Sequence, residues 1–309
     1  MEKTAIFTDN DREAIGRIVI SLHQHSGQSA AKYARSVGFD PADLSNLRGE
    51  KWRSNPTLIG EGKWIRLARL ARYSTKKELA WQTATTEVYT YITTQLDVCQ
   101  RYGFCNILVD RAGIGKTYAC KEYARTHPNV FYLDCSSSKN VNVFIKALAT
   151  AVGIEQSGTY NDILADTIFA LQSLTNPLII LDEAGELNNK AYGVIKRIYN
   201  ELEESCGIYV TGADGLRKHI ERGITNEIVG FAELFSRLGK SYGSIAPSKS
   251  RDKNQERKYR DFIAEMAGQI LEVNGVTGST KEEILNRHAW KDLRAIKRAA
   301  IIAKANRLF

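Results

Sequence analysis

The stretch Asp110-Arg-Ala-Gly-Ile-Gly-Lys-Thr117 decides the fold of this 309-residue chain. It follows an apolar run at residues 106–109 and precedes a segment of helical composition at residues 118–126. A strand, a glycine-rich loop, a Lys-Thr pair and a helix, in this order, make a phosphate-binding loop whose backbone N–H groups face the phosphates. The stretch therefore predicts a nucleotide site, and an ordinary glycine turn before a helix is the alternative.

Particular residues of this loop have expected roles. Lys116 is expected to reach the β- and γ-phosphates of the nucleotide, and Thr117 to hold Mg²⁺. The loop pattern usually begins with glycine, whereas this chain has Asp110. The residues expected to bind the nucleotide here are Ala112, Gly113, Ile114, Gly115, Lys116, Thr117 and Tyr118.

Composition narrows the class of protein. Hydrophobic residues make up 43% of the chain, which is enough for a sizeable core, and the length suits two or three domains. No apolar run approaches the roughly 18 residues of a transmembrane helix, and the N-terminus lacks the features of a signal peptide. The five cysteines show no C-x-x-C spacing. These features predict a cytoplasmic protein with free thiols and no membrane association.

The net charge of +8 is unevenly distributed. Residues 1–73 carry 12 Lys and Arg against 8 Asp and Glu, and residues 246–309 carry 14 against 8. Residues 74–245 carry 17 against 19. Basic ends around a near-neutral centre predict a polyanionic partner such as nucleic acid, and ordinary solvated cations are the alternative.

Residues 26–49 are typical of a helix-turn-helix. Gly38 suits the left-handed position of the turn, and Asp40 is expected to cap the second helix, with Pro41 at its first position. The apolar face of the first helix is expected to consist of Ala30, Ala31, Ala34 and Val37. In the second helix, Leu44 and Leu47 are expected to point inward.

The arrangement is similar to that of phage repressors, and it supplies candidate DNA contacts. These are Gln28 at the start of the first helix and Ser45, Asn46 and Arg48 on the outer face of the second. A small helical domain that docks protein and never touches DNA is the alternative. The expected domains are 1–73 (helix-turn-helix domain), 74–103 (linker and helix), 104–246 (nucleotide-binding core) and 247–309 (helical lid).

From residue 104 onward, apolar strands alternate with helical stretches, which predicts an α/β fold with a buried parallel sheet. The expected strands are residues 106–109, 130–135, 178–181 and 208–212, with residues 241–245 as a possible fifth. The strand at 178–181 ends in Asp182 and Glu183, 66 and 67 residues beyond Lys116. Asp182 is expected to act on Mg²⁺ together with Thr117, and Glu183 to polarise the attacking water.

Three further residues are candidates for the same chemistry. Thr211 ends the next strand and is expected to sense the γ-phosphate, with a plain strand residue as the alternative. Arg237 ends a short helix and is expected to enter a neighbouring subunit's site, where it would stabilise transferred phosphoryl charge. Arg222 is a weaker competitor for that role. Arg294, near the start of the last helix, is expected to touch the nucleotide phosphates.

These motifs occur in the order found in AAA+ ATPases. With the N-terminal helix-turn-helix, residues 10–305 resemble the MuB-like transposition ATPases, a family whose relatives include IstB and TnsC. The resemblance implies an AAA+ P-loop NTPase core, an all-α helix-turn-helix N-terminal domain and a small helical C-terminal lid. It implies ATP and Mg²⁺ as cofactors.

The resemblance also implies a function. In this family, ATP-bound protomers form helical filaments on double-stranded DNA with little sequence preference, mark target DNA and stimulate a DDE transposase. Hydrolysis then disassembles the filament. The DNA contacts of such filaments come from the ATPase core, for which Lys139 and Lys190 are the candidates, with solvated loop lysines as the alternative.

Three other functions stay open. A helix-turn-helix AAA+ transcriptional switch would bind one operator through Ser45, Asn46 and Arg48, with ATP controlling its oligomeric state. A helicase-loader-like adaptor would use its N-terminal domain to dock protein. A metabolic P-loop kinase is disfavoured, because the sequence shows no site for a phosphoryl acceptor.

Overall fold

A computed structural model describes residues 6–71, 73, 81–138, 140–248, 252–288 and 292–306. The chain divides into two compact units, Met1–Leu79 and Ala80–Phe309. None of the helices within the described ranges is long and apolar enough to cross a membrane.

The N-terminal unit is all-helical. Its helices are α1 (Asp9–His25), α2 (Ala30–Ser36), α3 (Pro41–Arg48), α4 (Lys51–Ser54) and α5 (Glu61–Leu70). Their apolar sides meet in one core that contains Ile15, Leu47 and the edge-to-face pair Trp52 and Trp64. The unit therefore has its own hydrophobic core, which is what an independently folding domain requires.

Helices α2 and α3 form the expected helix-turn-helix. Gly38 has a φ of +77°, and the Asp40 carboxylate accepts a hydrogen bond from Ala42 N at 2.8 Å, which caps α3. Leu44 and Leu47 are buried, as predicted. One detail of α2 was wrong: Ala31 is exposed, and Tyr33 takes the buried place beside Ala34. A tyrosine buries far more apolar surface than an alanine, so the larger side chain sets the rotation of the helix.

The second unit contains four strands and ten α-helices among the described residues. The strands are β1 (Cys105–Val109), β2 (Val130–Asp134), β3 (Leu178–Asp182) and β4 (Gly207–Gly212). The first six helices are α6 (Glu87–Tyr102), α7 (Lys116–Thr126), α8 (Val141–Val152), α9 (Tyr160–Gln172), α10 (Asn189–Leu202) and α11 (Asp214–Thr225). The last four are α12 (Phe231–Arg237), α13 (Lys253–Val273), α14 (Gly278–His288) and α15 (Leu293–Asn306).

The four strands form one parallel sheet in the order β1-β4-β3-β2, which confirms the predicted α/β class. The expected fifth strand at residues 241–245 is wrong as a strand, because it pairs with β1 only through an isolated bridge between Leu108 and Gly243. Beyond the bridge, the N–H groups of Ile245 and Ala246 donate to the Asp110 carboxylate. These groups are therefore not available to extend a ladder.

Helices cover both faces of the sheet. Ile107, Ile179 and Ile208 point to the face packed by α8 to α12. Leu108 and Ile180 point to the other face, which is packed by α6, α7 and the C-terminal helices α13 to α15. Burial on both faces explains the near-continuous apolar strands. It also leaves the carboxyl edge of the sheet as the place where polar side chains gather.

Candidate nucleotide-binding site

The strand order brings the predicted polar residues to one edge of the sheet. Because β4 lies between β1 and β3, Thr211 lies between the loop that follows β1 and the carboxylates that follow β3. The carboxyl edge of a parallel sheet is the usual ligand site in open α/β folds. The fold thus brings together side chains that are distant in sequence, namely those at the ends of β1, β3 and β4.

The loop after β1 has the backbone of a phosphate cradle. Gly113 and Gly115 adopt φ values of +83° and +109°, and α7 begins at Lys116. The Lys116 ammonium donates to the carbonyl oxygens of Asp110 at 2.7 Å and Arg111 at 2.8 Å. Burial lowers the pKa of Lys116, against the opposing effect of Asp110 and Glu183. The Lys116 ammonium is therefore held beside the N-terminus of α7, and a helix N-terminus binds anions well.

Asp110, the departure from the loop pattern, acts as a structural clamp. Asp110 is buried, and its φ angle is not positive, so glycine is not needed at this position. One carboxylate oxygen accepts from Arg111 N at 2.7 Å. The other accepts from Ile245 N at 2.6 Å and Ala246 N at 2.9 Å, and from the Ser244 hydroxyl at 3.3 Å. The side chain thus ties the phosphate loop to the segment that follows the bridge at Gly243.

The carboxylates at the end of β3 have different environments. Asp182 is buried, and its two oxygens accept from Tyr132 Oη at 2.8 Å and from Glu183 N at 3.0 Å. Glu183 is half-buried and has a left-handed backbone with φ of +52°. Burial and the neighbouring Asp182 raise its pKa, and Lys116 opposes the rise. One carboxylate is therefore fixed, and the other faces the cavity.

Thr211 is fully buried, and its hydroxyl has no hydrogen-bond partner among the residues that the structure describes. A buried hydroxyl without a partner is costly, and such groups are found where a water, an ion or a ligand completes the site. Thr211 lies at the carboxyl edge of the sheet and is not among the residues that line the cavity.

The C-terminal helices contact the phosphate loop directly. Leu293 N donates to Gly113 O at 3.0 Å, and a Cβ on Gly113 would lie 2.5 Å from the Cβ of Asp292. Gly113 is therefore required both by its positive φ and by this close approach. Arg294, one residue further on, lines the same cavity as Lys116. The guanidinium carbon of Arg111 lies 3.8 Å from the centre of the Tyr259 ring on α13.

A cavity of about 310 Å³ lies between the loop, α6 and α15. It is lined by all seven loop residues predicted to bind nucleotide, together with Glu183 and Arg294. Sequence reasoning missed its apolar wall, which includes Trp81, Val88 and Ile270. The Lys297 ammonium lies 5.1 Å from the Trp81 ring and 5.5 Å from the Tyr118 ring. An apolar, partly aromatic wall beside a phosphate cradle suits a nucleoside.

The oxygen groups present fit Mg²⁺. Thr117 begins α7 beside Lys116, and Asp182 supplies a buried carboxylate. Within the described residues, no group of three or more His, Cys, Asp or Glu side chains could hold a metal. Mg²⁺ is usually bound by one or two protein oxygens together with phosphates and water, and a hydroxyl and a carboxylate are oxygen groups of that kind.

The other candidates lie outside this cavity. Arg237 ends α12, half-buried, with its guanidinium 5.2 Å from the centre of the Tyr199 ring, and it does not line the cavity. Arg222 is exposed on α11, and Lys190 is exposed in the first turn of α10. Lys139 lies outside the described residues.

The candidate DNA contacts of the N-terminal unit lie on its helix-turn-helix. Ser45 and Arg48 are exposed on α3, and Asn46 is half-buried. Gln28 precedes α2, and its Oε1 is buried without a hydrogen-bond partner in the described part of the chain. The orientation of α3 thus matches the predicted outward face at Ser45 and Arg48.

The fold and the loop define an AAA domain. Residues 103–220 match the AAA domain family model, in agreement with the parallel sheet. Among solved structures, the chain is similar to the Aeropyrum pernix ORC1 protein in complex with DNA. The similarity is 13% identity with a TM-score of 0.44, over 74% of this chain and 68% of that chain.

The curated relatives of the chain include proteins named for DNA transposition. The chain is 26% identical over 246 residues to the Mu-like prophage FluMu DNA transposition protein B of Haemophilus influenzae, covering 76% of this chain and 82% of that protein. It is 28% identical over 137 residues to the ATP-dependent target DNA activator B of Escherichia phage Mu, covering 43% and 42%. The protein of the same name from Escherichia phage D108 gives the same values. These relatives confirm the resemblance to the MuB-like transposition ATPases.

Proposed function

We propose that the chain is an ATPase that binds double-stranded DNA with little sequence preference, assembles on it and activates a DDE transposase. The observation that carries the proposal is that Lys116, Glu183 and the lid residue Arg294 line one cavity. Asp182 precedes Glu183 in the chain and influences the pKa values of both Glu183 and Lys116. Their mutual electrostatic influence on the pKa values of Lys116 and Glu183 supports a single site. The relatives named as transposition proteins support the cellular role.

Each side chain of the site has a task in hydrolysis. Lys116 and the N-terminus of α7 would bind the β- and γ-phosphates, with Arg294 approaching from the lid. Thr117 and Asp182 would hold Mg²⁺, which neutralises phosphate charge when bound. Thr211 would hydrogen-bond near the γ-phosphate. These roles leave the reaction itself to positioning and electrostatics, as is usual for phosphoryl transfer.

Glu183 would orient and polarise the attacking water. Its raised pKa fits this role, because a carboxylate in a partly desolvated site is a stronger base than one in water. The Lys116 cation opposes the rise in the pKa of Glu183. The left-handed backbone at Glu183 is the kind of local strain that collects at functional sites.

Arg237 would complete the site of a neighbouring subunit. It lies away from its own chain's cavity, and its guanidinium rests on the Tyr199 ring near the end of α12. A trans-acting arginine makes hydrolysis depend on assembly, since an isolated protomer lacks the charge that stabilises the transition state. The assembly would be a homo-oligomer, either a helical filament or a ring.

DNA would be held mainly by backbone contacts. Lys190 and Lys139 are the candidates in the core, and Gln28, Ser45, Asn46 and Arg48 those in the N-terminal unit. Phosphate contact by cations gives tolerance of sequence and steep dependence on salt. The protein would act in the cytoplasm of a bacterial host, in contact with DNA.

One experiment tests the whole proposal. Duplex binding is measured with ATP, ADP or no nucleotide on several unrelated sequences, and the same samples are imaged by electron microscopy. ATP-dependent assemblies on every duplex support the proposal, and absence of duplex binding at moderate salt overturns it.

A second candidate function is a helix-turn-helix transcriptional switch, which the exposed Ser45 and Arg48 of α3 favour. The same experiment separates the two functions. Discrete binding to one duplex sequence, with Arg48 required, would support the switch and contradict the target-DNA role.

A further inference from the structure

Tyr132 links strand β2 to the acidic end of β3. It pairs in register with Ile180, and its hydroxyl donates to Asp182 Oδ2 at 2.8 Å. The other oxygen of the same carboxylate accepts from Glu183 N at 3.0 Å. Both oxygens of a buried Asp182 are therefore oriented, one by a side chain and one by the backbone.

The surroundings of Tyr132 keep its hydroxyl a donor. Burial raises the pKa of Tyr132, and the Asp182 carboxylate raises it further. The Lys121 ammonium on α7 lies 5.2 Å from the centre of the ring, and this contact helps to hold the ring in place. The ring is thus held from the side of α7 while its hydroxyl donates to Asp182.

A comparison with Tyr209 on β4 shows that the fold does not force this contact. Tyr209 is buried in the sheet, more deeply than the half-buried Tyr132, yet its hydroxyl has no hydrogen-bond partner among the described residues. This sheet therefore tolerates a buried tyrosine hydroxyl with no partner. The contact at Tyr132 is directed at a particular carboxylate, that of Asp182 at the end of β3.

We propose that Tyr132 is a positioning residue that fixes the Asp182 carboxylate in the orientation that receives hydrated Mg²⁺. The torsion at the end of an aspartate side chain is broad and two-fold, so a carboxylate without partners samples many orientations. Partners that orient metal-binding groups contribute about 10- to 100-fold in metal affinity. This assignment rests on the proposed ATPase function, because the metal is the one that would accompany ATP.

The test compares wild type with Tyr132→Phe and with the matched control Tyr209→Phe. Mn²⁺ binding to the ATP-loaded protein is measured by electron paramagnetic resonance, and the Mg²⁺ dependence of hydrolysis is measured in parallel. Tyr132→Phe should bind the metal about 10-fold more weakly, with the rate at saturating Mg²⁺ within about twofold of wild type. ATP binding in EDTA, followed by the rise in melting temperature, should be unchanged.

A second measurement separates positioning from general damage. In an Asp182→Asn background, Tyr132→Phe should have no further effect on Mn²⁺ affinity, because its effect passes through that carboxylate. Additive losses in the double variant would overturn the assignment, and so would unchanged metal affinity in a folded Tyr132→Phe protein. A wild-type protein that binds no ATP would overturn the proposed function first. If wild type hydrolyses ATP and the Mn²⁺ affinity of Tyr132→Phe equals that of wild type, only the role of Tyr132 is overturned.

Discussion

The helical N-terminal unit and the carboxyl edge of the sheet present their polar residues in opposite ways. Ser45 and Arg48 of α3 are exposed. Asp110 and Asp182 are buried, and every oxygen of their carboxylates accepts a hydrogen bond. An exposed side chain can adapt to any partner, whereas a buried and fully bonded one has a single geometry. The sheet edge therefore suits chemistry that needs fixed positions, and α3 suits binding.

Glu183→Gln should give the largest effect, because it removes the group that we propose polarises the attacking water and leaves Lys116 and Asp182 in place. Hydrolysis should fall by about 10²–10⁴-fold, a typical contribution of general base catalysis. Nucleotide binding, measured by equilibrium dialysis, should persist, and ATP-stabilised assemblies should accumulate. Hydrolysis at the wild-type rate would remove Glu183 from its role. Arg237→Ala is the companion variant: it too should lose hydrolysis and keep binding.

Asp110→Gly should destabilise the protein although it restores the usual loop pattern. The variant leaves the half-buried Ile245 N–H and the buried Ala246 N–H without their acceptor, and it adds backbone freedom. The expected loss is about 3 kcal/mol, from the cost of unsatisfied buried donors. Chemical denaturation measures it, with Ser45→Gly on exposed α3 expected to lose only about 1 kcal/mol as a glycine within a helix. Equal losses in the two variants would contradict the clamp.

The raised pKa of Glu183 predicts a dependence of stability on pH. Folding disfavours the ionised form of Glu183. The contribution of Glu183 to the free energy of unfolding is therefore fully present below the ordinary pKa of 4.5, and it is lost as pH rises through the raised pKa of the folded chain. Glu183→Gln should therefore melt at a slightly higher temperature than wild type at pH 7, by about 1–2 °C. Solvent screening of a half-exposed group keeps the effect small. The gain should disappear as pH falls through the pKa of Glu183.

Arg48→Ala should give the smallest effect and the one most dependent on the partner. If α3 contacts DNA phosphates, affinity falls similarly on all duplexes and the slope of log affinity against log salt decreases by about one. Lys190→Ala in the core is the matched variant. A loss confined to one duplex sequence would instead assign α3 to base reading, and no loss in either variant would contradict both candidate surfaces.

Local patterns predicted the fold and much of the candidate site. Residues 110–117 form one contiguous motif, so the phosphate loop could be predicted from the local sequence. The apolar runs before Asp182 and Thr211 predict strands, and the ends of these strands meet at one edge of the sheet. The roles of these side chains remain predictions. The alternation of strands and helices left few other topologies open.

Contacts between distant residues could not be read in the same way. The hydrogen bond from Tyr132 to Asp182 spans 50 positions, and the one from Ala246 to Asp110 spans 136. No periodicity marks such pairs. The wrong prediction of a fifth strand at residues 241–245 also results from a contact between distant residues. The Asp110 carboxylate accepts hydrogen bonds from the N–H groups of Ile245 and Ala246, which are therefore not available to extend the sheet. Trp81 was missed because a lone aromatic in a polar segment gives no sign of the wall it forms.

The hydrogen bond from Leu293 N to Gly113 O ties the start of α15 to the phosphate loop. A phosphate that shifts the peptide at Gly113 must lengthen or shorten this bond, and α15 carries the change along its length. The exchange rate of a single amide hydrogen, that of Leu293, would then give a direct gauge of whether the loop is filled, without any label near the nucleotide.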